Sequence, residues 1–226
     1  MSKSLIDYLS ELMTAERWQL MNKTIADRTK YLTVVLEDIY QPHNASAVLR
    51  TCDCFGIQDV HIIENKNKYS VNPDVALGAS KWLSLKKYNE QENNTVACIN
   101  ALKEKGYRIV ATTPHTDDVN LEDFDLHKGK TALLFGSEQP GLSEIALKHA
   151  DEFLKIPMYG FTESFNISVS ASIILHHLRL RLNQSDIDWK LSKQENEEIS
   201  LNWLKQSIKR SDIIERAFLK SQKGSI

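Results

Sequence analysis

Short apolar runs that alternate with helical patterns constrain this chain most. The segments "YLTVVLE", "DVHIIE", "WLSLKKY", "YRIVATT", "KTALLFGSE" and "EFLKIPM" read as strands, bounded by polar turns. Between them, "ASAVLRTCDCF", "NTVACINALKEKG" and "SEIALKHA" carry helical spacing, and a long helix follows "EFLKIPM". Strands separated by helices cannot pair as hairpins, so they pair in parallel beneath helical layers. The expected fold is therefore α/β, a parallel-sheet sandwich over residues 31–183. Asn44 and Asn94 are the expected caps of their helices, and Gly56 and Gly106 their stops. Leu5, Tyr8, Leu9 and Leu12, then Trp18, Met21 and Ile25 after a break near Thr14, predict an N-terminal helical extension over residues 1–30. A Ser192-x-x-Glu195 capping box opens a helical tail with an Ile199, Trp203 and Ile208 stripe, within an extension over 184–226.

Composition narrows the function by exclusion. The 226 residues carry a net charge of -2, so the chain as a whole does not advertise a polyanion partner. No run of about 18 apolar residues is present, and "MSKSLIDYLSELM" lacks the basic start and apolar core of a signal peptide. Three scattered cysteines give neither a disulfide framework nor a zinc site, and no metal is expected. The expected location is the cytoplasm. No G-x-G-x-x-G and no Walker A loop occurs, which argues against a Rossmann-type nucleotide site. Charge is uneven, however. From residue 200 onward Lys205, Lys209, Arg210, Arg216, Lys220 and Lys223 face only Asp212 and Glu215. That imbalance suits a solvated helix face or a surface for a polyanion.

Three loops stand out, each at the C-terminal end of an expected strand, where open α/β sheets bind ligands. "QPHNASAVLRT" places Asn44 at a helix start and Arg50 within that helix. "FGSEQPGLS" offers Gly136 for close backbone approach and Glu138 in a turn. "KIPMYGFTESFNISVSAS" places Ser164 and Asn166 before a helix of small side chains. Singly, the first two loops read as well as ordinary strand-to-helix turns. In the third, small residues serve tight packing and a site together.

Together and in this order, the loops resemble the SPOUT superfamily of RNA methyltransferases, and within it the SpoU-type 2′-O-methyltransferases. "NASAVLRTCDCFG", "LLFGSEQPGLS" and "IPMYGFTESFNISVSAS" are similar to the three motifs of that family. The resemblance is nearest to members that methylate guanosine 18 in the transfer-RNA D-loop. Ribosomal RNA, another transfer-RNA position, or a knotted RNA-binding protein without catalysis are the alternatives.

The resemblance implies a deep trefoil knot at the C-terminal part of the sheet domain, S-adenosylmethionine as cofactor, and a homodimer. It implies transfer of the cofactor's methyl group to a ribose 2′-hydroxyl. Arg50 would be the base or the cation that stabilises the forming alkoxide, since a guanidinium has a pKa above about 12. Asn44 would position Arg50 or the ribose, and Glu138 would order the site. Ser164 and Asn166 would hold phosphate and the knot loops. Thr112, Gly136, Ile156 and Phe165 would contact the cofactor, mostly through backbone. Arg17, Arg28, Arg179, Arg181, Lys209 and Arg210 would contact RNA.

Overall fold

The computed structural model describes residues 4–69, 72–114 and 119–223. Seven strands form one parallel sheet. They are β1 (Leu32–Glu37), β2 (Asp59–Ile63), β3 (Ser84–Tyr88), β4 (Arg108–Thr112), β5 (Val119–Asn120), β6 (Thr131–Phe135) and β7 (Glu152–Lys155), in the order β3-β2-β1-β6-β4-β7-β5. Helices cover both faces, so every residue of β1 and β6 is buried. This is why "LTVVLE" and "TALLF" are continuous apolar runs and do not alternate.

One face buries Leu32, Val34, Leu36, Val110 and Leu133 beneath α3 (Pro42–Cys54) and α7 (Ile167–Gln184). The other buries Val35, Ile109, Ala132 and Leu134 beneath α5 (Asn94–Lys103) and α6 (Glu144–His149). Two side chains past α7, Ile187 and Trp189, still pack on the first of these cores. A single-turn helix, α4 (Pro73–Ala76), lies between β2 and β3. The β5 strand was not legible because two residues carry no period.

Three boundaries differ from the sequence reading. Helix α3 starts at Pro42, so Asn44 lies inside the first turn and Gln41 is the cap residue. Pro42 sets that start, because its fixed φ suits a first helical position that needs no N–H. Helix α5 is capped by Asn93, whose side chain accepts from the Val96 N–H, so Asn94 falls one residue inside. The tail breaks at Ile208–Arg210 into α8 (Lys193–Ser207) and α9 (Ser211–Lys223), with Arg210 at φ 58°. Ile208 therefore ends α8, and Leu204 joins Ile199 and Trp203 as its buried apolar residues.

The chain divides into two compact units, one spanning 29–189 and the other joining the residues up to Arg28 with those from Lys190 onward. The second unit is helical: α1 (Leu5–Ser10), α2 (Ala15–Ala26), α8 and α9. The break near Thr14 is a cap, its hydroxyl accepting from the Arg17 N–H. The Ser192–Glu195 capping box is formed. Tyr8 stacks on Phe218 at 4.9 Å, and Lys205 pairs with Glu215 at 2.7 Å. No helix among the described residues is long and apolar enough to cross a membrane.

Candidate active site

Strand order reverses at β1, which has β2 on one side and β6 on the other. The loops after β1, β6 and β7 open at the C-terminal edge near this point, where such sheets form ligand crevices. They bring together three of the expected side chains. Asn44 donates through Nδ2 to Glu138 Oε1 at 2.5 Å. Asn166 donates through Nδ2 to the same oxygen and to Asn44 Oδ1, both at 3.2 Å. Asn166 also caps α7, its Oδ1 accepting from the Ser168 N–H at 2.8 Å and from Ser168 Oγ at 2.7 Å. Glu138 therefore lies against the first turn of α3 and the cap of α7. Both helix N-termini favour its negative charge.

Gln41 completes this cluster and was missed from the sequence. Its Nε2 donates to Glu138 Oε2 and its Oε1 accepts from Asn44 Nδ2, each at 3.4 Å. The signal was available in Pro42, which makes the preceding residue a cap beside the motif's asparagine.

A cavity of about 930 Å³ opens over the cluster. Asn44, Thr112, Gly136, Glu138, Ile156, Ser164, Phe165 and Asn166 all line it, so every expected catalytic or cofactor residue except Arg50 is on its wall. Tyr40 and Met158 are further wall residues that the sequence reading did not single out, and Ser170, one of the small residues of α7, joins them. Gly136 is obligatory here. A Cβ at that position would lie 2.2 Å from the backbone of Gly141 and Leu142, because the loop folds back on itself. Thr112 donates its hydroxyl to the Leu134 carbonyl at 2.7 Å, so its side chain has no donor left for a ligand.

Arg50 is exposed on α3 and does not line this cavity. It lies six residues beyond Asn44, about 9 Å along the helix.

Two of the arginines expected on RNA are turned to packing. Arg28 is 2 % exposed, with its guanidinium 5.0 Å from the centroid of the Trp203 ring. Arg179 is buried over Trp189 at 3.9 Å and donates to the Phe55 carbonyl and to Asn183. Neither presents a guanidinium to a phosphate. Arg17, Lys209 and Arg210 are exposed, and Arg181 is half-buried, donating to the Glu122 carbonyl at 3.1 Å.

Residues 31–176 match the family model described as the SpoU rRNA Methylase family. The chain belongs to the SpoU methylase family. Among proteins of this family, the tRNA (guanosine(18)-2'-O)-methyltransferase of Borreliella burgdorferi is 45% identical over 210 residues, 93% of this chain and 94% of that protein. The crystal structure of the Aquifex aeolicus TrmH/SpoU tRNA modifying enzyme superposes with a TM-score of 0.74 at 29% identity, covering 85% of this chain and 97% of that one. The SpoU methyltransferase AviRb of Streptomyces viridochromogenes, solved in complex with AdoMet, shares the fold at a TM-score of 0.61 and 23% identity, over 72% of this chain and 65% of that one.

Proposed function

We propose that this chain transfers a methyl group from S-adenosylmethionine to the ribose 2′-hydroxyl of guanosine 18 in the transfer-RNA D-loop. The observation that carries the reading is the convergence of Asn44 and Asn166, from the first and third of the three loops, on the Glu138 carboxylate of the second at the rim of the cavity. The Borreliella relative, 45% identical over nearly its whole length, bears the name of this reaction. The cavity suits the cofactor in size, since small-ligand sites span about 300–1,000 Å³. Gly136 lines it with backbone alone, its own loop filling the space a side chain would take.

S-adenosylmethionine supplies an electrophilic methyl group when bound. The chain's own residues then do the rest. Backbone at Thr112, Gly136, Ile156 and Phe165 holds the cofactor. Glu138, accepting from both asparagine amides, fixes their orientation, so that Asn44 presents a preset polar group to the ribose. Ser164 would hold the adjoining phosphate, and Asn166, whose amide is spent on Glu138 and Asn44, would hold the loops in place. Arg50 acts on the 2′-hydroxyl, as its base or as the cation that steadies the forming alkoxide.

Arg50 sits off its own cavity, and this supports a homodimer in which each copy's Arg50 serves the other's site. The surface between α3 and α7 suits such a partner: Thr51 and Ser172 touch at 3.1 Å, and an open depression of about 500 Å³ lies beside them, lined by Phe55, Ile173 and Tyr159. A trefoil knot in the last part of the sheet domain is in keeping with β6 inserting between β1 and β4 and with the chain after β7 returning to the α3 face. The sheet domain over 31–183 would carry the chemistry. The extensions over 1–30 and 184–226 would grip transfer RNA through Arg17, Lys209 and Arg210, and the sheet domain would add Arg181, as phosphate contacts that fix position without reading bases. The enzyme would act in the cytoplasm without a metal. Incubating the protein with labelled S-adenosylmethionine and transfer RNA, then mapping the methyl, tests the proposal.

A further inference from the structure

We propose that Glu37 is a positioning residue for the cavity, acting through the loop that carries Gly136 and Glu138; the inference rests on the function proposed above. Glu37 ends β1 and is 2 % exposed. Its side chain points to the α5 and α6 side of the sheet and is not itself part of the cavity wall. One oxygen accepts from Thr95 Oγ1 at 2.6 Å and Ser143 Oγ at 2.8 Å, and the other accepts from the Ser143 N–H at 2.8 Å. Ser143 is the cap of α6, its hydroxyl accepting from the Ala146 N–H at 3.1 Å. A single carboxylate thus fastens the point where the 136–142 loop enters its helix.

The residue after Glu37 pulls the other way. Asp38 adopts a left-handed φ of 50°, and its Oδ1 accepts from the N–H groups of Asn65 and Lys66 at 2.7 and 2.8 Å. The next residues, Ile39 to Gln41, are cavity wall. Both walls of the cavity, the one after β1 and the one after β6, are therefore referenced to the tip of one strand. The 136–142 loop has no slack with which to absorb a shift at its far end, because Gly136 already touches Gly141 and Leu142 more closely than a methyl group would allow. Displacement at Ser143 is passed to Glu138.

Only a carboxylate fits the position. All three partners donate, and the starts of α5 and α6 favour negative charge there. A glutamine would turn an NH2 group against a donor and leave a buried polar atom without a partner.

The decisive comparison is between the two arms of this carboxylate. Glu37→Gln and Ser143→Ala disturb the arm to the loop, whereas Thr95→Val removes a hydrogen bond to the same carboxylate on the α5 side only. Three readouts are taken on the full chain: thermal midpoint, amide hydrogen exchange of residues 136–142 without ligand, and S-adenosylmethionine affinity by calorimetry. All three variants should lower the midpoint. Glu37→Gln and Ser143→Ala should speed exchange of the loop and weaken cofactor binding by about tenfold, the scale of one hydrogen bond to a charged group. Thr95→Val should leave loop exchange and affinity near wild type. Equal effects of the three variants on the loop, or an unchanged loop in both Glu37→Gln and Ser143→Ala, would overturn the inference. If Glu37→Gln does not fold, the contrast between Ser143→Ala and Thr95→Val separates the same two outcomes. Failure of the wild-type protein to bind S-adenosylmethionine would instead sink the proposed function, while loop exchange still decides the role of Glu37.

Discussion

Asn44, Glu138 and Asn166 were legible in the sequence because each sits in a motif whose neighbours are also distinctive. What Asn44 does was not legible. It reads as a cap, yet it spends its amide on Glu138, a residue 94 positions away. Glu37 was missed for the same reason: its partners lie far along the chain, and no local pattern encodes them. For Gln41, Pro42 marks the cap position but not the bond to Glu138. Arg28 and Arg179 misled in the opposite direction. Charge is visible in a sequence, but stacking on Trp203 and Trp189 is not. Gly136 was legible as a site of close approach, and it makes a sharp test. In Gly136→Ala the new methyl group meets backbone at 2.2 Å, so the loop must move rather than a side chain. Overpacking of this kind costs about 1–3 kcal/mol of stability. The variant should fold, melt a few degrees lower, and lose most of its affinity for S-adenosylmethionine; calorimetry with unchanged affinity would show that the cofactor does not rest on this backbone.

Elements were read better than their ends. Strands buried on both faces and amphipathic helices leave strong periodic signals, whereas a start such as Pro42 or a break such as Ile208–Arg210 depends on one or two residues. Strand β2 carries a consequence for pH. His61 is 4 % exposed, with Nδ1 3.1 Å from the Tyr88 hydroxyl. Burial, helped by the positive charges of Lys105 and Lys86, pushes its pKa down from 6.5 to about 4. Folded His61 stays neutral until about pH 4, while the unfolded chain takes up this proton near 6.5. The unfolded state therefore binds more protons in that window, and stability falls as pH drops through it, by about 3 kcal/mol in all. Above pH 6.5 the group contributes no pH dependence. Denaturant titrations between pH 4 and 7 should show this slope in the wild type and a flatter one in His61→Leu. Equal slopes would mean that another group dominates.

At the scale of the whole molecule, the parallel sheet with helices on both faces was legible from alternation alone. The order of its strands was not, because insertion of β6 between β1 and β4 is a long-range choice. The assembly can be tested by mixing. Arg50→Ala leaves the cavity intact, and Glu138→Ala leaves Arg50 intact. If each copy's Arg50 serves the other's cavity, a heterodimer of the two inactive variants holds one working site. Random assortment of equal amounts should then restore about a quarter of wild-type turnover. If Arg50 serves its own chain, mixing restores nothing.

Methyl transfer to one ribose hydroxyl can be read from a pair of substrates. Labelled S-adenosylmethionine is incubated with the protein and two transfer RNAs that differ only at position 18, one with guanosine and one with 2′-deoxyguanosine. Label is expected at the 2′-oxygen of guanosine 18 in the first and none in the second. Equal labelling of both would place the methyl group elsewhere and rule out transfer to this hydroxyl.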